Sequence, residues 1–442
     1  MLYQLRQTQQ NIQQLARYVT DNETIINQHY CGNMNVVCSK CDSLNFFEEK
    51  PSDNQFTQCC QKGKVMLPRC HYSDLFEQFM KGTHEHSRNF MENIRSINSS
   101  HAFASFGANI APPPGFGPYC FKIHGQIYHR TGTLHPEIGQ PPKFAQLYIF
   151  DTNEATEQRM NLKENEKCNV ELMNLIAVHL QTISPFAAAY RMLKDVEAEE
   201  EQKAIQNGME MPSIIMAIKQ ERKQDPRCYN KARVSEVAVV FQNDDGEPPF
   251  QMDILVHLKP DQNNPFVPKT QRISILHSNL DALLYPLFFP SGDQGWHENL
   301  HQQGTSRRIT QLQYYSFLLS VRNYFNPILN GGKLTQQYLV DAYVKIEANR
   351  LNFIRMNQKQ LKVEDYCVLQ EHLQKQSIQK GIPIGKTVIL PSSFEGSPRK
   401  MQQRYQDANS CDVSGSKSRL QPGELCAGCA WSAMLSQAVL TT

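Results

Sequence analysis

No stretch of about 18 apolar residues occurs anywhere in the 442-residue chain, so no segment is expected to span a membrane as a helix. The opening residues, Met1–Gln14, lack the apolar centre of a secretory signal. An intracellular compartment, nuclear or cytoplasmic, is therefore the expectation. Neither sign of charge is in excess: 45 Lys and Arg stand against 43 Asp and Glu, a net charge of +2. Any basic surface must then arise from local clustering. Internal repeats and long low-complexity tracts are also missing, and the composition argues against a disordered, collagen-like or coiled-coil chain. With 40% apolar and 20% charged residues the composition is that of a globular protein, long enough for two or three domains.

Cysteine is what the chain has in quantity. Six of its 13 cysteines fall between Cys31 and Cys70. In a reducing compartment these are thiols or metal ligands before they are disulfides. Cys38-x2-Cys41 is the short loop that places two thiolates on one ion, and Cys59-Cys60 follows after 17 residues. Adjacent cysteines rarely both reach one metal, so Cys31, Cys70 and His71 are alternates for the remaining places. The expected cofactor is structural zinc on Cys38, Cys41, Cys59 and Cys60. Buried thiols without metal are the competing reading.

The chain divides by character. Residues 1–28 are a Gln/Asn-rich flexible lead-in, 29–72 the cysteine-rich module, and 73–111 a polar helical linker ending near Pro112-Pro113-Pro114-Gly115. Residues 112–305 read as a mixed α+β domain. Alternation predicts a strand through Phe121, Ile123 and Ile127, and the apolar run Ala145–Phe150 predicts another. Residues 171–207 read as helix. Val237–Phe241 and Ile254–Leu258, flanking Asn243-Asp244-Asp245-Gly246, read as a hairpin, with Gln271–Leu276 as a third strand. A helical segment follows. Leu312, Tyr315 and Leu319 share a face up to Pro327, Asn330-Gly331-Gly332 turns the chain, and Leu339, Ala342, Ile346 and Phe353 mark a second helix. The fold class is thus α+β. From Asn409 periodicity is lost, and residues 409–442 read as an unrelated tail.

Other constellations carry less. Gly381-x3-Gly385-Lys386-Thr387 imitates a phosphate loop, but its glycine spacing is one residue short and its strand follows instead of precedes, so no ATP site is expected. Cys426-x2-Cys429 has no partner pair except Cys411. His84-Glu85-His86 lacks the apolar strand of a nuclease metal site and reads as two exposed histidines. Tyr314-Tyr315 suggests a nucleophile pair, yet Tyr315 lies on the apolar stripe and reads as core.

Several blocks occur in one order: Lys122–Arg130, Pro142–Asp151, Asp281–His297, Gln336–Tyr343 running into Lys345–Glu347 and Arg350–Arg355, then Val388–Phe394, Gly396–Arg399, Met401–Gln403 and Tyr405–Ala408. Together with Gly32-x-Met34-x3-Cys38-x2-Cys41 and Cys59-Cys60-x2-Gly63-Lys64-Val65, this series resembles the N-terminal and helicase-like-N regions of Helitron transposases, from about residue 29 to 408. Residues 306–408 correspond to the start of that helicase-like-N region. The resemblance implies a rolling-circle DNA transposon protein, in which a nuclease and an ATP-dependent helicase follow later. Neither motif set occurs here. The expectation is a truncated, non-catalytic remnant that binds DNA weakly and takes no small-molecule substrate, with Arg307, Arg308, Arg399 and Arg404 as phosphate-contacting candidates. The opposing expectation is an active nuclease or helicase with an unrecognised site. A third is a product of a decayed copy, with no function.

Overall fold

The cysteine-rich segment begins with two short strands, β1 (Met34–Val37) and β2 (Leu44–Phe46), paired antiparallel across the Cys38–Cys41 turn. In the computed structural model the described residues are 32–53, 55–70, 72–110, 123–137, 139–210, 214–218, 238–242, 254–258, 270–357 and scattered positions between 390 and 403. Phe121, the phosphate-loop imitation, the second Cys-x2-Cys and the tail lie outside them.

Residues 74–101 form two helices, α1 (Asp74–Lys81) and α2 (Ser87–His101). Ser73 caps α1 by accepting from the Phe76 amide, and Gly82, at φ 77°, ends it in the left-handed conformation that a Cβ disfavours. This segment is not polar all round. Phe76, Phe79, Phe90, Ile94 and Ile97 recur at three- and four-residue spacing and are buried together, with the Phe79 and Phe90 rings 4.8 Å apart. The intervening Asn, Ser and Arg residues masked that stripe in the sequence.

Two three-stranded antiparallel sheets follow. The first has the order β3–β4–β8, from Ser105–Ile110, Ile123–Gly132 and Thr270–Ile273. The second has the order β6–β5–β7, from Ala238–Gln242, Ile214–Ile218 and Ile254–His257. Here the structure corrects the expected hairpin: β6 and β7 do not pair with each other but flank β5. The run Ile214-Ile215-Met216-Ala217-Ile218 is apolar at every position and buried throughout, as a central strand covered on both faces must be. The third expected strand, β8, joins the other sheet beside β4. Past β4 the chain continues alongside β7, where the Leu134 and His135 amides donate to the His257 and Leu258 carbonyls, and this links the two sheets.

Helices cover the sheets. Ala145–Phe150 is not a strand: Phe144–Ile149 forms a 3-10 turn. Pro141 and Pro142 precede it, Phe144 takes φ 54°, and the Gln146 carboxamide both accepts from the Lys143 amide and donates to the Thr133 carbonyl. Next come α3 (Thr152–Met160), α4 (Val170–Ile183) and α5 (Pro185–Asn207). The helix expected over 171–207 is therefore two, bent by 80° at Ser184, because Pro185 lacks an amide hydrogen and suits only a first turn. Among the described residues no single helix is long and apolar enough to cross a membrane.

The C-terminal helices are α6 (Leu280–Leu284), α7 (Gln311–Leu318), α8 (Pro327–Asn330) and α9 (Lys333–Met356). Helix α7 stops at Leu318, well before Pro327, which opens α8 instead of closing α7. Leu339, Ala342 and Ile346 are buried as the stripe requires, whereas Phe353 lies exposed toward the helix end. The class is α+β, with one continuous apolar core running from the cysteine segment through α9.

Candidate metal centre

Cys38, Cys41, Cys59 and Cys60 come together with their sulfurs all within 4.8 Å of one another. Cys38 and Cys60 lie 3.8 Å apart, as do Cys59 and Cys60. A tetrahedral ion with Zn–S bonds of about 2.3 Å sets its sulfurs about 3.8 Å apart. The donor set and spacing thus fit a zinc-class ion.

Local backbone makes this possible. On the first side, the Cys38 amide donates to the Ser43 carbonyl and the Asp42 amide to the Cys38 carbonyl, closing a knuckle in which Asp42 has φ 57°. On the second side, Gln61, Lys62 and Gly63 take φ 50°, 60° and 84° in succession. This left-handed run curls the chain after Cys60, and the Gly63 amide donates to the Cys60 sulfur at 3.2 Å. Adjacent cysteines reach one centre because that curl aims both side chains inward. Left-handed conformation at two non-glycine residues costs about 1–2 kcal/mol each.

All four sulfurs belong to buried residues, and none forms a disulfide. Hydrogen bonds from Cys59, then Cys60, hold the Cys41 thiol far below its ordinary range. The same bonds to Cys41 push Cys59 upward and Cys60 to about 12. The thiols thus perturb one another directly, and a cation among them would favour their ionised form. Cys70 stands apart: burial, with the Asp293 charge adding to it, raises its thiol well above the usual range. The alternates Cys31 and His71 lie outside the described residues.

The centre is fastened to the C-terminal helices by Arg322, which follows α7. Its Nε donates to the Cys41 carbonyl at 2.9 Å, its Nη1 to the Phe317 and Ser320 carbonyls, and its plane lies over the Phe317 ring at 4.2 Å. The Leu44 amide donates to the Val321 carbonyl beside it.

The other candidates are placed differently. His84 and His86 are half-buried, not exposed, in the turn before α2. The His84 ring meets Phe79 edge-on, and its Nδ1 accepts from the His86 amide at 3.2 Å. They do not share a strand. Tyr314 and Tyr315 are core: Tyr314 Oη donates to the Gln294 carbonyl and Tyr315 Oη to Asp281, with burial raising both phenols. Arg307 and Arg308 are exposed on the loop preceding α7, Arg308 lying 3.7 Å from Glu298. Arg399 and Arg404 lie outside the described residues.

A buried ionic cluster went unread in the sequence. Lys345 Nζ lies 2.6 Å from Asp281 and 3.0 Å from Asp341, and Asp341 also meets His129 Nε2 at 3.0 Å. Tyr315 and Tyr338 donate to Asp281, and Tyr285 to Asp341. The available signal was Tyr338, Asp341 and Lys345 at three- and four-residue spacing on one helix face.

Tyr315, Arg322, Tyr338, Asp341 and Lys345 lie within residues 314–415, which match the family model described as the Helitron helicase-like domain at N-terminus. No curated protein matches the chain. The chain is thus Helitron-related and carries a Helitron helicase-like N-terminal domain, tied through Arg322 to a four-cysteine centre outside the matched segment.

Proposed function

We propose that this chain is a DNA-binding, non-catalytic part of a Helitron-related machinery, and that its cysteine centre holds structural zinc. The observation that carries this is the closure of the centre. Around one ion, four buried sulfurs would fill a tetrahedral shell and leave no position for water or substrate, which is the pattern of structural zinc and not of catalytic zinc. Zinc there would supply folding energy to a short segment that has, among the described residues, a two-stranded hairpin and one 3-10 turn of its own. Free buried thiols also suit a reducing, intracellular setting such as the nucleus.

Strand cleavage needs a cation to polarise the phosphate and a nucleophile to attack it. The tyrosine pair is packed in the core and hydrogen-bonded, and the histidine pair lies in a turn against Phe79. Binding needs only Lys and Arg on one face. With a net charge of +2, non-specific affinity at physiological salt falls in the range of about 10⁻⁴–10⁻⁶ M.

The test pairs metal analysis with DNA assays. Purified protein is expected to carry one zinc per chain and to lose it on changing Cys41 to Ser. It should retard DNA at low salt and leave supercoiled plasmid intact in Mg2+ or Mn2+. Nicking that survives repurification and disappears in a His84→Ala, His86→Ala variant would overturn the non-catalytic reading. Absence of zinc from freshly purified protein would overturn the metal reading.

A further inference from the structure

The cysteine module and the loop before α7 are far apart in sequence, yet they are joined in the fold. The Gln303 amide donates to the Lys64 carbonyl at 2.8 Å. Within the loop, the Gln302 amide donates to the Arg307 carbonyl and the Ile309 amide to the Leu300 carbonyl, both at 2.8 Å, so the segment folds back as a narrow hairpin. Arg307 therefore sits opposite Gln302, next to the residue that pairs with Lys64. On the other side of Lys64, the aliphatic stem of Lys40 lies against the Gly63 backbone, where a Cβ would stand 3.3 Å from it.

Five exposed cations lie on these joined segments: Lys40, Lys62, Lys64, Arg307 and Arg308. Three exposed carboxylates lie among them. Asp53 pairs with Lys62, Glu298 lies near Arg308, and Asp42 belongs to the Cys38–Cys41 knuckle. Lys40, Lys64 and Arg307 have no ion-pair partner among the described residues. Lys64 is joined to the loop by the Gln303 hydrogen bond and to Lys40 through the Gly63 contact, so contacts run continuously from Lys40 past Lys64 to Arg307.

The geometry points to Lys40, Lys64 and Arg307 as a composite phosphate-binding face for DNA, assembled only when the cysteine module docks on the loop. This rests on the DNA-binding reading above and assigns it to particular side chains. Lys62 and Arg308 contribute little, because their carboxylate neighbours already offset their charge. The cations have a competing duty, since a zinc ion with four thiolates carries net negative charge that nearby lysines would balance.

The experiment titrates the zinc-loaded full chain against a short fluorescein-labelled duplex of mixed sequence, across about 50–200 mM salt. Each lost phosphate contact lowers the slope of log affinity against log salt by about 0.9. Lys40→Gln, Lys64→Gln and Arg307→Gln together are expected to remove about 2–3 from that slope. Lys62→Gln with Arg308→Gln should change it by less than one contact. Zinc content is measured on every variant. If the triple variant loses zinc, Arg307→Gln decides, because it lies outside the cysteine module: a slope lowered by about 0.9 upholds the face, and an unchanged slope overturns it. A zinc-loaded triple variant with the parent slope overturns the face while leaving DNA binding in place. Failure of the parent protein to bind at any salt overturns both.

Discussion

Lys345 sits between two carboxylates in the core, with Lys345 2% exposed and Asp341 fully buried. A lone charge at that depth would be prohibitive, and here six other side chains surround it with hydrogen bonds and counter-charge. Replacing Lys345 with Met leaves Asp281 and Asp341 facing each other without a cation. The expected loss is about 3–5 kcal/mol in urea unfolding, and a loss below about 1 kcal/mol would count against the cluster as a stabilising network. The cluster also sets a pH dependence. Burial works to raise the Asp341 carboxyl, but the Lys345 and His129 partners outweigh it and hold the group at about 2, below its ordinary 3.8. A carboxylate held low in the folded state stabilises the fold above its unfolded value, and that contribution disappears as pH falls through the folded value. Stability should therefore drop between about pH 4 and 2. Asp341→Asn should flatten that drop, as read from urea midpoints at stepped pH. An undiminished slope in the variant would place the acid sensitivity elsewhere.

At the scale of elements, the join between α8 and α9 depends on backbone that carries no side chain. A Cβ on Gly331 would stand 2.6 Å from the Phe288 ring, inside van der Waals contact with a ring packed against Tyr285 and Tyr338. Gly331→Ala is expected to cost about 1–3 kcal/mol by overpacking. Thermal melts of the two proteins would show it, and an unchanged midpoint would mean that Phe288 can move aside. The Asn330-Gly331-Gly332 signal was legible in the sequence because turn residues act locally. The apparent hairpin between β6 and β7 was misread for a related reason: turn residues predict a reversal of the chain, while strand order depends on which edge the sheet leaves open. Strand β5 takes the centre because its five residues are apolar on both faces.

Across the whole molecule, Arg322 makes the cysteine centre and the helicase-like domain one body. Its Nε holds the Cys41 carbonyl while its Nη1 holds the end of α7. Removing a metal bound at the cysteine centre should free the Cys38–Cys41 knuckle and, through Arg322, loosen residues 317–326. Hydrogen exchange before and after chelation is expected to show lost protection in both segments. Arg322→Ala should confine the loss to the cysteine module, since the link is then cut. Equal spreading of the loss with and without Arg322 would rule out this route.

By itself the sequence determined the local features of this protein. Cys-x2-Cys brings two thiolates together over a short loop, Asn330-Gly331-Gly332 turns the chain, apolar spacing marks α9, and ordered blocks carry the family likeness. These are short-range effects, governed by backbone geometry and side-chain period. The tertiary structure decided what depends on distant partners. It brought Cys59 and Cys60 to the first pair by a left-handed curl, seated β5 between β6 and β7, and joined His129, Asp281, Asp341 and Lys345 into one buried cluster. A buried charge is tolerable only where its counter-charge arrives, and that arrival is set by packing between elements, which no spacing along the chain records.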